Sequence, residues 1–154
     1  MAFTIQPFKP GQEADISAFI RNVYDEFVAP DYTEEGNAFF YDWITPENIA
    51  DRQKTRVSLF VAVIDSTLAG MIEIRENNMI SLLFVAKKYH RQGMAKSLVA
   101  AALNNSLANN ENLDAFHVHA SPFSIPVYRR LGFRESGVLQ KENGIAYLPM
   151  IMKW

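Results

Sequence analysis

The chain has 154 residues, 49% of them hydrophobic and 21% charged, which describes one packed globular domain and not a disordered segment. With no cysteine, disulfide frameworks, thiolate nucleophiles and cysteine-held metal centres are excluded, and three histidines leave little for a metal site, so no metal is expected. A formal net charge of −2 argues against a general nucleic-acid binder. In chain order, Ala2–Pro7 alternates weakly and is predicted as a strand. From Gly11 the period changes: Ile16, Phe19, Ile20, Val23, Tyr24 and Phe27 fall at helical spacing, and Pro30 closes the segment. A second helical region runs from about Thr33 to Lys54, divided where Thr45 reads as an N-cap with Pro46 at the first helical position. Ser58–Ile64 and Leu68–Arg75 read as strands about a turn at Asp65-Ser66-Thr67, and Met79–Val85 as a near-continuous apolar central strand.

Met94, Leu98, Ala101 and Ala102 form the face of a helix that begins near Gly93 and ends in Asn-rich sequence. Leu113–His119 reads as a strand and Pro122–Leu131 as a short helix stopped by Gly132. The tail, Phe133–Gln140 and Ile145–Lys153 about Asn143-Gly144, carries the signal of a β-hairpin. This order predicts an α/β domain with a largely antiparallel sheet and helices on its faces. No apolar run approaches the ~20 residues of a membrane span, and the first ten residues lack a basic, apolar leader pattern. A cytoplasmic location and no membrane partner are therefore expected.

Charge is unevenly placed. Between Asn22 and Asp51 there are eight acids and no Lys or Arg, whereas Asn77–Asn110 holds no acid but contains Lys87, Lys88, Arg91 and Lys96. The basic stretch suits a compact polyanion such as a nucleotide, and the acidic, aromatic stretch suits a cation; solvated surface is the alternative for both. The basic stretch is the more specific. In Phe84–Val99 (FVAKKYHRQGMAKSLV) a central strand ends, a basic loop follows, and a helix starts at a glycine. Unsatisfied N–H groups and the helix dipole make such a start an anion site, and Gly93 removes the side chain that would block approach.

This stretch resembles the pyrophosphate loop of the GNAT superfamily of N-acetyltransferases, whose pattern is Gln/Arg-x-x-Gly-x-Gly/Ala. Aligned on Gly93 and Ala95, the first position falls on His90, a departure from the family pattern. A second stretch, Ala120–Phe133 (ASPFSIPVYRRLGF), is similar to the family's strand exit and following helix, with Ser121 where Asn is frequent. The resemblance covers about Val57–Trp154. It implies a single GNAT-like α/β domain with a mostly antiparallel mixed sheet of about seven strands and about four helices. Residues 57–154 would form the donor-binding core, and residues 1–56 the variable acceptor side.

The resemblance further implies acetyl-coenzyme A as co-substrate and a small-molecule or peptide amine as acceptor, by direct attack in a ternary complex. A non-catalytic acyl-coenzyme A-binding domain on the same fold is the alternative. The diphosphate would lie on His90, Arg91, Gln92, Gly93, Met94, Ala95 and Lys96. The pantetheine arm would lie along Leu83, Phe84 and Val85, with Ser121 and Ser124 beside the donor. Tyr128 matches the family's general acid: a phenol of pKa about 10 can supply a proton only to the developing thiolate, whose thiol has a pKa of about 8.5. A satisfied core tyrosine is the competing reading. The base stays open among His119, whose ordinary pKa near 6.5 suits the task, Glu73, and a water chain. Asp31, Tyr32, Glu34 and Glu35 would help to shape the acceptor pocket; the neighbouring Phe39, Phe40 and Trp43 read equally as core. Since many relatives pair, the resemblance admits a homodimer.

Overall fold

The helical period read from Ile16 to Phe27 produces a helix, α1 (Glu13–Phe27), which buries Ile16, Ile20 and Tyr24. The computed structural model of the chain describes residues 2–55, 57–142 and 144–154. Around α1 it places β1 (Thr4–Pro7), α2 (Glu34–Trp43), α3 (Pro46–Arg52), β2 (Val57–Ile64), β3 (Thr67–Arg75) and β4 (Met79–Val85). Then come α4 (Met94–Asn109), β5 (Ala115–Ala120), α5 (Ile125–Arg130), β6 (Arg134–Glu135), β7 (Gln140–Glu142) and β8 (Ile145–Lys153).

The described residues thus form eight strands and five helices, one more of each than expected. α2 and α3 are separate because each has its own cap. Thr33 accepts from Gly36 N–H and Thr45 from Asn48 N–H, and Pro46 opens α3. The tail expected as one strand over 133–140 is two short ones. Ser136 N–H bonds the Pro149 carbonyl at 2.9 Å, but Pro149 has no N–H to return, so the ladder stops and Val138 and Leu139 are exposed. The hairpin turn was read at Asn143-Gly144; Asn143 lies outside the described residues, while Glu142↔Ile145 pairing and the positive φ of Gly144 frame the turn.

The strand order is β1-β2-β3-β4-β5-β8-β6, with β7 also on β8. Every pairing is antiparallel except β4–β5, which is parallel and lasts for two residue pairs, Met79↔His117 and Ile80↔Val118. Past Ile80 the two strands are no longer paired, and the middle of the sheet is open. β4 also carries a bulge: Glu73 pairs with Leu82 and Ile74 with Ile80, leaving Ser81 as the extra residue. One inserted residue reverses the faces. Ile80 therefore joins the core beneath α4 and α5, with Ile72, Leu98, Phe116 and Tyr128, while Leu82 joins the core beneath α1 and α3, with Ile16, Ile20, Ile49 and Met71. Each such buried side chain contributes roughly 1.5–3 kcal/mol relative to exposure.

Candidate active site

A cleft of about 1170 Å³ occupies the opening between β4 and β5 and runs from the start of α4 to the α1–α2 connection. The end expected to take the donor is built by the basic loop. Arg91 (φ +62°) and Gly93 (φ +84°) both take left-handed backbone, which turns the chain sharply from β4 into α4. The first intrahelical bond is Ser97 N–H to Gly93 C=O, so the amides of Met94, Ala95 and Lys96 precede any helical acceptor, and no side chain caps them. A Cβ placed on Gly93 would meet nothing within 4 Å. The space beside these amides is therefore open, as a diphosphate requires. Arg91, Lys96 and Arg130 line the same region, and all are cationic.

Leu83, Phe84, Val85, His90, Gly93, Met94, Ala95, Ser121 and Ser124 line the cleft as well. Two loop residues do something other than face it directly. The His90 ring donates Nε2–H to the Val85 carbonyl at 2.7 Å and packs 5.0 Å from Phe27, so it ties the loop to the end of β4. Gln92 is exposed, donates to the Lys88 carbonyl at 2.9 Å, and is not part of the lining. The Ser121 and Ser124 hydroxyls are 2.9 Å apart, and Ser124 also donates to the Ser121 carbonyl, which fixes the entry to α5.

Tyr128, on α5, reaches the cleft from the α4 side of the sheet. It is 5% exposed, and its ring meets Phe133 edge-on at 5.3 Å. Burial pushes its phenol well above the ordinary tyrosine value, so it stays protonated at neutral pH. No described side chain hydrogen-bonds this hydroxyl, which leaves its proton available to a ligand. His119 stands at the end of β5 on the cleft wall, exposed and stacked on Tyr147 at 4.4 Å. Partial burial and the charge of Arg75 hold its imidazole below the usual value, against an opposing pull from Glu142.

Glu73 is placed elsewhere. Its side chain is 1% exposed and lies outside the lining, on the α3 face of β3. Arg52 Nε contacts its Oε1 at 3.0 Å, Gln53 donates to Oε2 at 3.3 Å, and the Ser81 hydroxyl donates to Oε1 at 3.0 Å. Arg52 is itself held by the Trp43 carbonyl at 2.6 Å and lies over the Trp43 ring.

Of the four residues expected at the acceptor, only Tyr32 lines the cleft, at its opposite end, with its phenol pushed up to about 12 by burial and by Asp31. Asp31, Glu34 and Glu35 are exposed and outside the lining. Tyr24, Phe27 and Phe40 also line this end, Phe40 stacked on Tyr24 at 3.8 Å. The Tyr24 hydroxyl donates to Asn37 Oδ1 at 2.7 Å. Tyr24 and Phe27 were legible only as an apolar helix face; that this face looks into a cleft depends on strands far along the chain. Phe39 is exposed, and Trp43 supports Arg52, so the two split between surface and core.

Among the described residues no group of three His, Asp or Glu could hold a metal ion, and no helix is long and apolar enough to cross a membrane. No curated protein matches the chain in sequence. Solved structures do match. A GCN5-related N-acetyltransferase from Rhodopseudomonas palustris superposes with a TM-score of 0.83 at 19% identity, covering 100% of this chain and 97% of that one. The PaiA N-acetyltransferase from Thermoplasma acidophilum, solved in complex with coenzyme A, gives 0.81 at 17% identity over 100% of both chains. Spermidine N-acetyltransferase from Vibrio cholerae, solved with coenzyme A and spermine, gives 0.67 at 19% identity over 98% of this chain and 95% of that one. The likeness establishes the shared fold. A family model described as an acetyltransferase (GNAT) domain matches residues 28–154, which takes in α2 and α3 as well as the donor loop. The chain therefore belongs to the GNAT acetyltransferase family.

Proposed function

We propose that the protein transfers an acetyl group from acetyl-coenzyme A directly to a primary amine. The observation that carries this is the continuity of one cleft, from the free amides at the start of α4 to the Tyr128 phenol at the opening between β4 and β5. Met94, Ala95 and Lys96 would receive the diphosphate through their N–H groups, with Arg91, Lys96 and Arg130 supplying positive potential. The β5-facing edge of β4 beyond Ile80 would pair with the amide-rich pantetheine arm as an added strand.

The amine nitrogen attacks the thioester carbonyl, a C–N bond forms, the C–S bond breaks, and sulfur departs as thiolate. A β4 backbone N–H beside the opening would stabilise the oxyanion. Tyr128 donates its hydrogen to the thiolate. Burial keeps the phenol protonated until a thiolate forms to take the proton. His119, neutral at physiological pH, stands where it can relay the proton lost by the amine, directly or through water. The ion-paired, enclosed Glu73 supports a positioning role beneath the bulge in β4, not that of the base.

A thiol-release assay with acetyl-coenzyme A and a panel of amines tests the reading. Amine-dependent release is expected; tight binding of coenzyme A with no release would favour a sensing domain. We place the protein in the cytoplasm on the same reasoning, with residues 1–56 as the acceptor-side part and residues 57–154 as the donor core.

A further inference from the structure

We propose that the acceptor is a small monoamine with an aryl or compact apolar body, not a polyamine and not the tail of a protein; the inference rests on the transferase reading above. Its first ground is charge. No Asp or Glu lines the cleft among the described residues, and its fixed charges, Arg91, Lys96 and Arg130, are all positive. A second ammonium carried into this space would lose its hydration with no carboxylate to replace it. Asp31, Glu34 and Glu35 are solvent-exposed outside the lining, where they raise the local concentration of cations without entering the cleft.

The second ground is the wall. Tyr24 and Phe40 stack at 3.8 Å, and with Phe27, Val28 and Ile145 they give the acceptor end an aromatic, apolar surface that complements a ring. Of its two tyrosine hydroxyls, that of Tyr24 is committed to Asn37 Oδ1 at 2.7 Å, and that of Tyr32 is hydrogen-bonded by no described residue. The Tyr32 hydroxyl suits a single amine or ring substituent.

The third ground is closure. Thr33 donates its backbone N–H and its hydroxyl to the Gly144 carbonyl, at 3.2 and 3.3 Å, so the start of α2 and the β7–β8 hairpin are joined. The approach is close enough that a Cβ on Gly36 would lie 2.5 Å from the Gly144 oxygen. At that contact the two elements leave no room for a polypeptide to pass between them. A molecule the size of an arylethylamine needs no such passage. In the reaction such an amine exchanges one proton for the acetyl group on nitrogen, coenzyme A leaves as the thiol, and the proton the amine loses balances the one Tyr128 gives up.

The test compares kcat/KM by thiol release with 2-phenylethylamine, tryptamine, spermidine and a hexapeptide with a free N-terminus. The aryl amines are expected to exceed spermidine and the peptide by at least about tenfold. In Tyr32→Glu the order should shift toward spermidine while coenzyme A affinity, read by calorimetry, stays within about twofold. Spermidine or the peptide equalling the aryl amines in the wild type overturns the inference and leaves the transferase reading standing. Release with none of the amines, with coenzyme A still bound, overturns both.

Discussion

Arg52 on α3 holds the buried carboxylate of Glu73 on β3, Nε to Oε1 at 3.0 Å, and the same oxygen accepts from Ser81 in the bulge of β4. One ion pair thus joins helix α3, strand β3 and the bulge of β4. Removing the guanidinium leaves an uncompensated buried charge, so Arg52→Ala is expected to lose about 3 kcal/mol in urea unfolding. Glu73→Gln keeps the shape and part of the bonding and is expected to lose about 1–2 kcal/mol. Its kcat should fall by less than about tenfold; a loss near a thousandfold in a folded Glu73→Gln protein would return Glu73 to the role of base.

Tyr128→Phe removes one oxygen from a side chain whose ring is already packed against Phe133. The melting temperature should hardly move, because no described side chain bonds that hydroxyl. Turnover at saturating amine is expected to fall about 10–100-fold with little change in coenzyme A affinity. Unaltered turnover would remove the phenol from the chemistry.

For His119 the sign follows from its depressed imidazole. A base works when neutral, and burial together with Arg75 keeps the ring neutral to lower pH than an ordinary histidine. The acid limb of the kcat/KM profile should therefore have its midpoint below about 6.5. His119→Ala should abolish that limb, and Arg75→Gln should move it upward. A profile unchanged in His119→Ala would assign the proton to a water chain.

Gly93→Ala separates the donor site from the rest of the cleft. The alanine must hold φ near +84°, at a cost of about 1–2 kcal/mol, although its Cβ meets no protein atom. That methyl would instead occupy the space given to the diphosphate. Coenzyme A affinity by calorimetry should drop about tenfold or more, equivalent to about 1.4 kcal/mol. An affinity equal to the wild type would place the diphosphate away from this turn.

What the sequence alone determined here is local. Helical period revealed α1, Pro46 after Thr45 marked the start of α3, and a glycine after a basic loop marked the anion-ready start of α4; each depends on neighbours within a turn or two. The motif around Gly93 and the stretch ending in Phe133 were readable because each is one contiguous run of residues. What tertiary structure decided was which side chains share a space. The β4–β5 opening follows from a parallel pairing that ends after Ile80, and Ser81 becomes a bulge only through its register with Glu73 and Ile74. Glu73 looks like a strand carboxylate until Arg52, from another element, encloses it. The acids near Asp31 look like pocket residues until the closing contact of Thr33 with Gly144 leaves them outside. Period and capping are written in a few adjacent residues, whereas register and enclosure arise between segments that meet only on folding.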